Sequence, residues 1–284
     1  MRIGVYHLIW APPLDDAAIA PLARRAAAAG ADVLEIATSR DPLPFDPIAA
    51  RRVIEAEGLT ATLVTTLSAE RDLASDEPHV RATGLDFVRR FVDTAAALGS
   101  PLLAGPFFGA VWDLTPLTPE ARARRWAHAV EALAALGAHA QGSGVRIAVE
   151  PLSRFHTSFL NTVADACRLV DDVGHPAVGL LLDTFHMNIE EADVGAAVRA
   201  AGARIHHVHA SENNRGAPGS GHVDWVAVRD ALRDARYDGT LTIEAFNTAV
   251  PELAAFVRAW RHLAADPDTL AAAGVRFLRR LVAA

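Results

Sequence analysis

Four segments in the second half of the chain share one design: VRIAVE (residues 145–150), VGLLLD (178–183), IHHVH (205–209) and LTIE (241–244). Each starts on an aliphatic residue, and each ends on a carboxylate or an imidazole: Glu150, Asp183, His209 and Glu244. Short apolar runs of this kind read as parallel strands buried on both faces. A charged group at the end of such a strand is costly to bury unless it is paired or bound to a metal.

Working outward, the same kind of run recurs at Ile3–Leu8, Val33–Ile36, Thr60–Thr65 and Leu102–Ala104. With Val145–Val149, Val178–Leu182, Ile205–Val208 and Leu241–Ile243 these make eight candidate strands. Helical patterns separate them, including APLARRAAAAG, Val80–Leu98 and Pro119–Ala140. Gly30, Gly58, Gly99 and Gly174 follow helices, where a left-handed cap is favourable. Asp46-Pro47 and Thr118-Pro119 read as helix starts, a cap residue followed by proline at the first helical position. Pro251–Ala264 and Asp268–Ala284 are expected as helices that close an outer ring. Eight βα units close naturally into a barrel, with an open doubly wound sheet as the other arrangement. We therefore expect a single (β/α)8 TIM barrel domain spanning residues 1–284, a length such barrels routinely reach.

Composition narrows the function. The net charge is −7, and the Arg residues are scattered among acids, which argues against a nucleic-acid partner and against anionic membranes. The one cysteine, Cys167, excludes an intrachain disulfide and a thiolate zinc site, and its helical surroundings suggest a small core residue. No apolar run reaches the length of a membrane span, and MRIGVYHLIW enters a strand without signal-peptide architecture, so the expected location is cytoplasmic.

In a barrel of this kind the active site forms at the C-terminal ends of the strands. Glu150, Asp183 and Glu244 would repel one another there, and one divalent cation removes that penalty, with His209 completing the shell. Three carboxylates and an imidazole suit Mn²⁺, Co²⁺ or Mg²⁺, with Zn²⁺ as a further option. His186, three positions after Asp183, and Arg215, in the loop ENNRGAPGSGH, are candidates for substrate contact. Strand alternation aims His207 with His209 and His206 the other way, and a structural role is expected for both His206 and His207.

The segments VEPLSRFHTSFLNT, LLLDTFHMNIEE, HHVHASENNRGAPGSGHVDW and YDGTLTIEAF resemble the ketose 3-epimerases, a group within the xylose-isomerase-like barrels. The likeness spans the whole chain and is strongest from Val149 to Phe246. It implies a metal held by Glu150, Asp183, His209 and Glu244, most often Mn²⁺ or Co²⁺. It implies substrate-oxygen contacts at His186 and Arg215, and an acid/base pair formed by Glu150 and Glu244. It also implies a small-molecule ketose as partner and a homodimer or homotetramer. One position departs: where the family carries a glutamate near carbon 1 of the sugar, this chain has His156. Tyr6, Trp112 and Phe246 are candidates for an apolar wall against the sugar.

The reaction expected is removal of the carbon 3 proton on one face of the ketose and its return on the other, through an enediolate. An aldose–ketose or hydroxypyruvate-type isomerase, or an inosose dehydratase, would use the same barrel and metal. An apurinic endonuclease would need many more His ligands and a basic face. A non-catalytic sugar-binding barrel would have lost the four strand-end residues.

Overall fold

The computed structural model describes residues 1–11, 13–264 and 266–284. In chain order the elements are β1 (Arg2–Tyr6), α1 (Asp16–Ala28), β2 (Val33–Ala37), α2 (Pro47–Ala56), β3 (Thr60–Val64), α3 (Pro78–Leu98) and β4 (Leu102–Gly105). Next come α4 (Pro119–Gly142), β5 (Arg146–Val149), α5 (Val163–Val173), β6 (Val178–Asp183), α6 (Thr184–Glu190), α7 (Val194–Ala201) and β7 (Ile205–Ala210). The chain ends with α8 (Trp225–Asp234), β8 (Thr240–Ile243), α9 (Pro251–Val257) and α10 (Pro267–Ala283). All neighbouring strands pair in parallel, and β1 pairs with both β2 and β8, so the sheet closes as the eight-stranded barrel expected.

Strand alternation divides the core in two. Ile3, Leu34, Leu63, Leu103, Ile147, Leu180, Leu182 and Ile243 face the helices and join one large apolar shell. Tyr6, Val64, Leu102, Ala104, Ala148 and Leu181 form a separate cluster within the barrel. Burying a Leu or Ile side chain contributes about 1.5–3 kcal/mol, so the shell dominates stability. The interior is unusually polar, because Glu35, Thr62, His207, His209 and Thr242 are also buried.

Local chemistry sets the helix ends. Asp46 accepts from the amide of Ile48 at 2.8 Å and Thr118 from that of Ala121 at 3.2 Å, each followed by proline as read from sequence. Gly30, Gly58, Gly99 and Gly174 all have φ between 62° and 82°. Helix α10 closes the ring through Leu270, Val275 and Leu278, with Trp10 Nε1 donating to Asp268 at 2.7 Å.

Some boundaries differ from expectation. β1 ends at Tyr6, and His7–Ile9 form a short 3-10 turn. The helix expected over Pro251–Ala264 ends at Val257, where Arg258 adopts a left-handed conformation (φ 54°). That helix buries only Ala254, and a helix without a packed face has little to propagate it. DTFHMNIEE forms the caps and body of α6.

Candidate active site

Glu150, Asp183, His209 and Glu244 converge at one end of the barrel. Glu150 follows β5, and its amide donates to the carbonyl of Gly105 at 3.0 Å. Gly105 has φ 139°, and a Cβ there would meet the Thr65 carbonyl oxygen at 2.0 Å, so only glycine allows this junction. Asp183 is both the last residue of β6 and the cap of α6. Its Oδ1 accepts from the amide of Phe185 at 2.6 Å, which leaves Oδ2 turned toward the barrel axis.

At the centre lies His209 Nδ1. It is 3.6 Å from Glu244 Oε1 and 3.9 Å from both Glu150 Oε1 and Asp183 Oδ2. It is buried and has no hydrogen-bond partner among the described residues. A ring nitrogen ringed by three carboxylates, near all and bonded to none, is the arrangement of donors that share a cation. The electrostatics agree. Burial disfavours a charged His209, yet Glu35, Glu244 and Glu150 outweigh it and hold the imidazole up at about 10. Burial pushes Glu244 up to about 7 and raises Glu150 well above the usual carboxylate range. Each of these shifts expresses a demand for positive charge at one place, which a divalent cation meets.

The other ring nitrogen of His209 is held by a residue that the sequence reading missed. Glu35, in the middle of β2, accepts from His209 Nε2 at 2.8 Å, His207 Nε2 at 2.7 Å and Thr62 Oγ1 at 2.7 Å. Burial alone would raise this carboxyl, but His207 and His209 hold it well below the usual range. When a cation replaces the proton on Nδ1, Glu35 keeps the remaining proton of His209 on Nε2, and the Nδ1 lone pair would serve the metal. A signal was present, since Glu35 interrupts the apolar strand VLEIA. His207 points inward as expected, whereas His206 faces away and bonds through Nδ1 to the Ile147 carbonyl at 2.8 Å. We expect Glu35→Ala to weaken metal binding by about 10–100-fold, the usual cost of losing such a support. Chelator competition measures it, and an unchanged dissociation constant would contradict the role.

Arg215, in a left-handed conformation (φ 62°), reaches over the carboxylates. Its Nη1 donates to Asp183 Oδ2 at 3.0 Å, to Ser211 Oγ at 2.6 Å and to Glu244 Oε2. Its guanidinium lies 3.9 Å over the Phe185 ring. His186 Nδ1 accepts from the Ser153 amide at 3.1 Å, and burial pushes its pKa well below the usual value. Neutral His186 therefore carries its proton on Nε2, which lies 3.3 Å from Arg215 Nη2. Two donors thus converge on one spot, where an oxygen of a bound molecule can accept from both.

The remaining candidates border the same cavity: Tyr6, Trp112, His156 and Phe246 line it together with Glu150 and Glu244. Tyr6 and Phe246 meet edge to face at 5.7 Å. Trp112 packs on His156 at 4.6 Å, and its amide donates to the His156 carbonyl at 2.7 Å. His156 Nδ1 pairs with Ser153 Oγ at 3.0 Å. Burial, with Arg215 and Arg258 nearby, lowers its pKa to about 4. Sequence reasoning also missed Glu212. This buried carboxylate accepts from Gly219 and Val223 amides and Trp225 Nε1, and so shapes the loop that presents Arg215.

A closed parallel barrel with an acid-and-imidazole cluster at the C-terminal strand ends defines the class. The chain belongs to the xylose isomerase-like TIM barrel family, whose model matches residues 23–281. It is 33% identical to an L-ribulose 3-epimerase of Methylomonas sp. over 282 residues, 99% of this chain and 97% of that one. It is 32% identical to a D-psicose 3-epimerase of Agrobacterium fabrum, over 94% of this chain and 93% of that one. A crystal structure of D-allulose 3-epimerase from Methylomonas sp. in complex with D-allulose superposes with a TM-score of 0.91 at 32% identity, covering 99% and 96% of the two chains. Within the family, the chain is a ketose 3-epimerase. Among the described residues, no helix is long and apolar enough to cross a membrane.

Proposed function

We propose that this enzyme epimerises free ketoses at carbon 3, with Glu150, Asp183, His209 and Glu244 holding one divalent cation, Mn²⁺ or Co²⁺ before Mg²⁺ or Zn²⁺. The observation that carries the metal assignment is the unpartnered His209 Nδ1 within reach of three carboxylate oxygens. When bound, the cation supplies Lewis acidity that acidifies the hydrogen beside the ketose carbonyl.

The residues of the chain carry the proton steps. Glu150 and Glu244 stand after β5 and β8, on different sides of the barrel mouth. One carboxylate removes the carbon 3 proton from one face, giving an enediolate. The other, already protonated, delivers its proton to the opposite face and inverts the centre. Each carboxyl alternates between holding and releasing a proton as the two epimers interconvert. Which residue acts as base depends on which epimer enters. His186 Nε2–H and the Arg215 guanidinium are placed to donate to one sugar oxygen, and Tyr6, Trp112 and Phe246 to wall the sugar's apolar face.

The same reading takes the enzyme as cytoplasmic and as a homodimer or homotetramer, the latter by analogy with the family. The direct test is incubation of ketohexoses and ketopentoses with the Mn²⁺- or Co²⁺-loaded enzyme, followed by chromatography. Carbon 3 epimers are expected; aldose products would favour an isomerase instead.

His156 bears on substrate choice. A neutral imidazole can donate as well as accept, whereas the carboxylate expected there from the family only accepts. His156→Glu is expected to reorder kcat/KM among D-allulose, D-tagatose, D-fructose and L-ribulose, by about 1–3 kcal/mol for the most affected. A common factor for all four would mean that His156 does not discriminate.

A further inference from the structure

Three spaces meet at the mouth of the barrel. The inner chamber, with the carboxylates at its base, has a volume of about 60 Å³. Outside it lie one groove of about 640 Å³ along Ser39, Ser68 and Arg71, and another of about 200 Å³ along Leu8, Ala37 and Leu253. Among the described residues, two border all three: Thr66, just after β3, and Phe256, on α9. Thr66 is small. Phe256 carries a full aromatic ring that borders all three, while Val111 and Trp112 also part the chamber from the larger groove, and Tyr6 and Val64 from the smaller one.

The partition rests on a few side-chain contacts. Phe256 meets Trp112 edge to face at 5.8 Å and Phe246 at 6.4 Å. Two residues later, Arg258 turns out of the helix in its left-handed conformation and lays its guanidinium 4.7 Å over Trp112. Yet Phe256 is 44% exposed, and α9 buries only Ala254. A large apolar ring left this exposed forgoes much of its burial energy. Its placement is explained by what it separates.

We propose that Phe256 sets the upper size of the ketose accepted: its ring closes the inner chamber against the outer grooves and so excludes ketoses with a glycosyl group on a terminal hydroxyl. This rests on the ketose epimerase reading of the chamber. The free space beyond the ring, about 640 and 200 Å³ in the two grooves against about 60 Å³ inside, is where a glycosyl group on a bound ketose would have to extend. Removing the ring joins the three spaces while leaving the four strand-end residues in place.

The test compares kcat/KM for a free ketohexose with that for two glucosyl-ketoses, one substituted on the carbon 1 hydroxyl and one on the carbon 6 hydroxyl. Binding of the same sugars is measured by calorimetry. Phe256→Ala is expected to raise the ratio of substituted to free ketose at least tenfold for one of the two, in turnover and in affinity. Phe256→Trp should lower it. Leu253→Ala, which borders only one outer groove, should leave it unchanged. The proposal is overturned if Phe256→Ala, folded by circular dichroism, keeps the wild-type ratio. It is equally overturned if Leu253→Ala matches Phe256→Ala, since loosening of α9 would then be the cause. Lack of carbon 3 epimerisation by the wild type would instead remove the functional reading, and the calorimetric ratios would still decide the size limit.

Discussion

Glu150→Gln and Glu244→Gln, each loaded with Mn²⁺, are expected to lose epimerisation by about 10²–10⁴-fold, the range lost with a general acid or base. Glutamine keeps the shape of the side chain and one oxygen for a metal, but it cannot take up or release the proton. The two variants should also differ in kind. Each retains one working carboxylate, on one face of the sugar. Each should therefore still exchange the carbon 3 hydrogen of one epimer with solvent without inverting it, and the epimer should differ between the two. Turnover is measured after elemental analysis confirms full metal loading, and exchange is followed by NMR in deuterium oxide. Near-wild-type turnover in either variant would rule out the two-carboxylate scheme.

Stripping the metal is expected to abolish activity and lower the melting temperature. Binding to the native state alone stabilises by about 2.7 kcal/mol at a hundredfold excess over Kd. For a chain of this length that corresponds to roughly 4–5 °C. The gain should depend on pH, and the sign follows from the shifts. Glu244 is raised from 4.5 to about 7 and His209 from 6.5 to about 10 in the metal-free protein. Between each unfolded and folded value the native state binds more protons than the unfolded chain, so metal-free stability falls as pH rises across both windows. The cation takes over from those protons. The melting shift on adding Mn²⁺ should therefore be larger at about pH 9 than at about pH 6. Full activity after exhaustive chelation, or a shift that shrinks with rising pH, would count against a metal held by these four residues.

The barrel and its four strand-end residues were legible because both follow from local rules. Apolar runs of fixed length mark the strands, and a carboxylate or imidazole at each strand's end marks the mouth. Asp183 illustrates how much one residue does there, since it ends β6, caps α6 and faces the cluster at once. Glu35 was not read because its partners lie 172 and 174 residues away, and only closure of the barrel brings β2 and β7 across from each other. Glu212 escaped for a different reason: its acceptors are spent on the backbone of its own loop, whose conformation no spacing rule gave. Phe256 lies in a segment whose pattern suggested a longer helix, and nothing in PELAAFV marks one ring as a partition.

Proton transfer between two carboxylates and carbon 3 is tested most directly by a single reaction in deuterium oxide. The metal-loaded enzyme converts a ketose at low extent, and carbon 3 of the product is read by NMR. A carboxyl group that returns the proton trades it with solvent, so the product is expected to carry deuterium at carbon 3 and at no other carbon. Product that retains protium at carbon 3 would contradict the two-carboxylate mechanism.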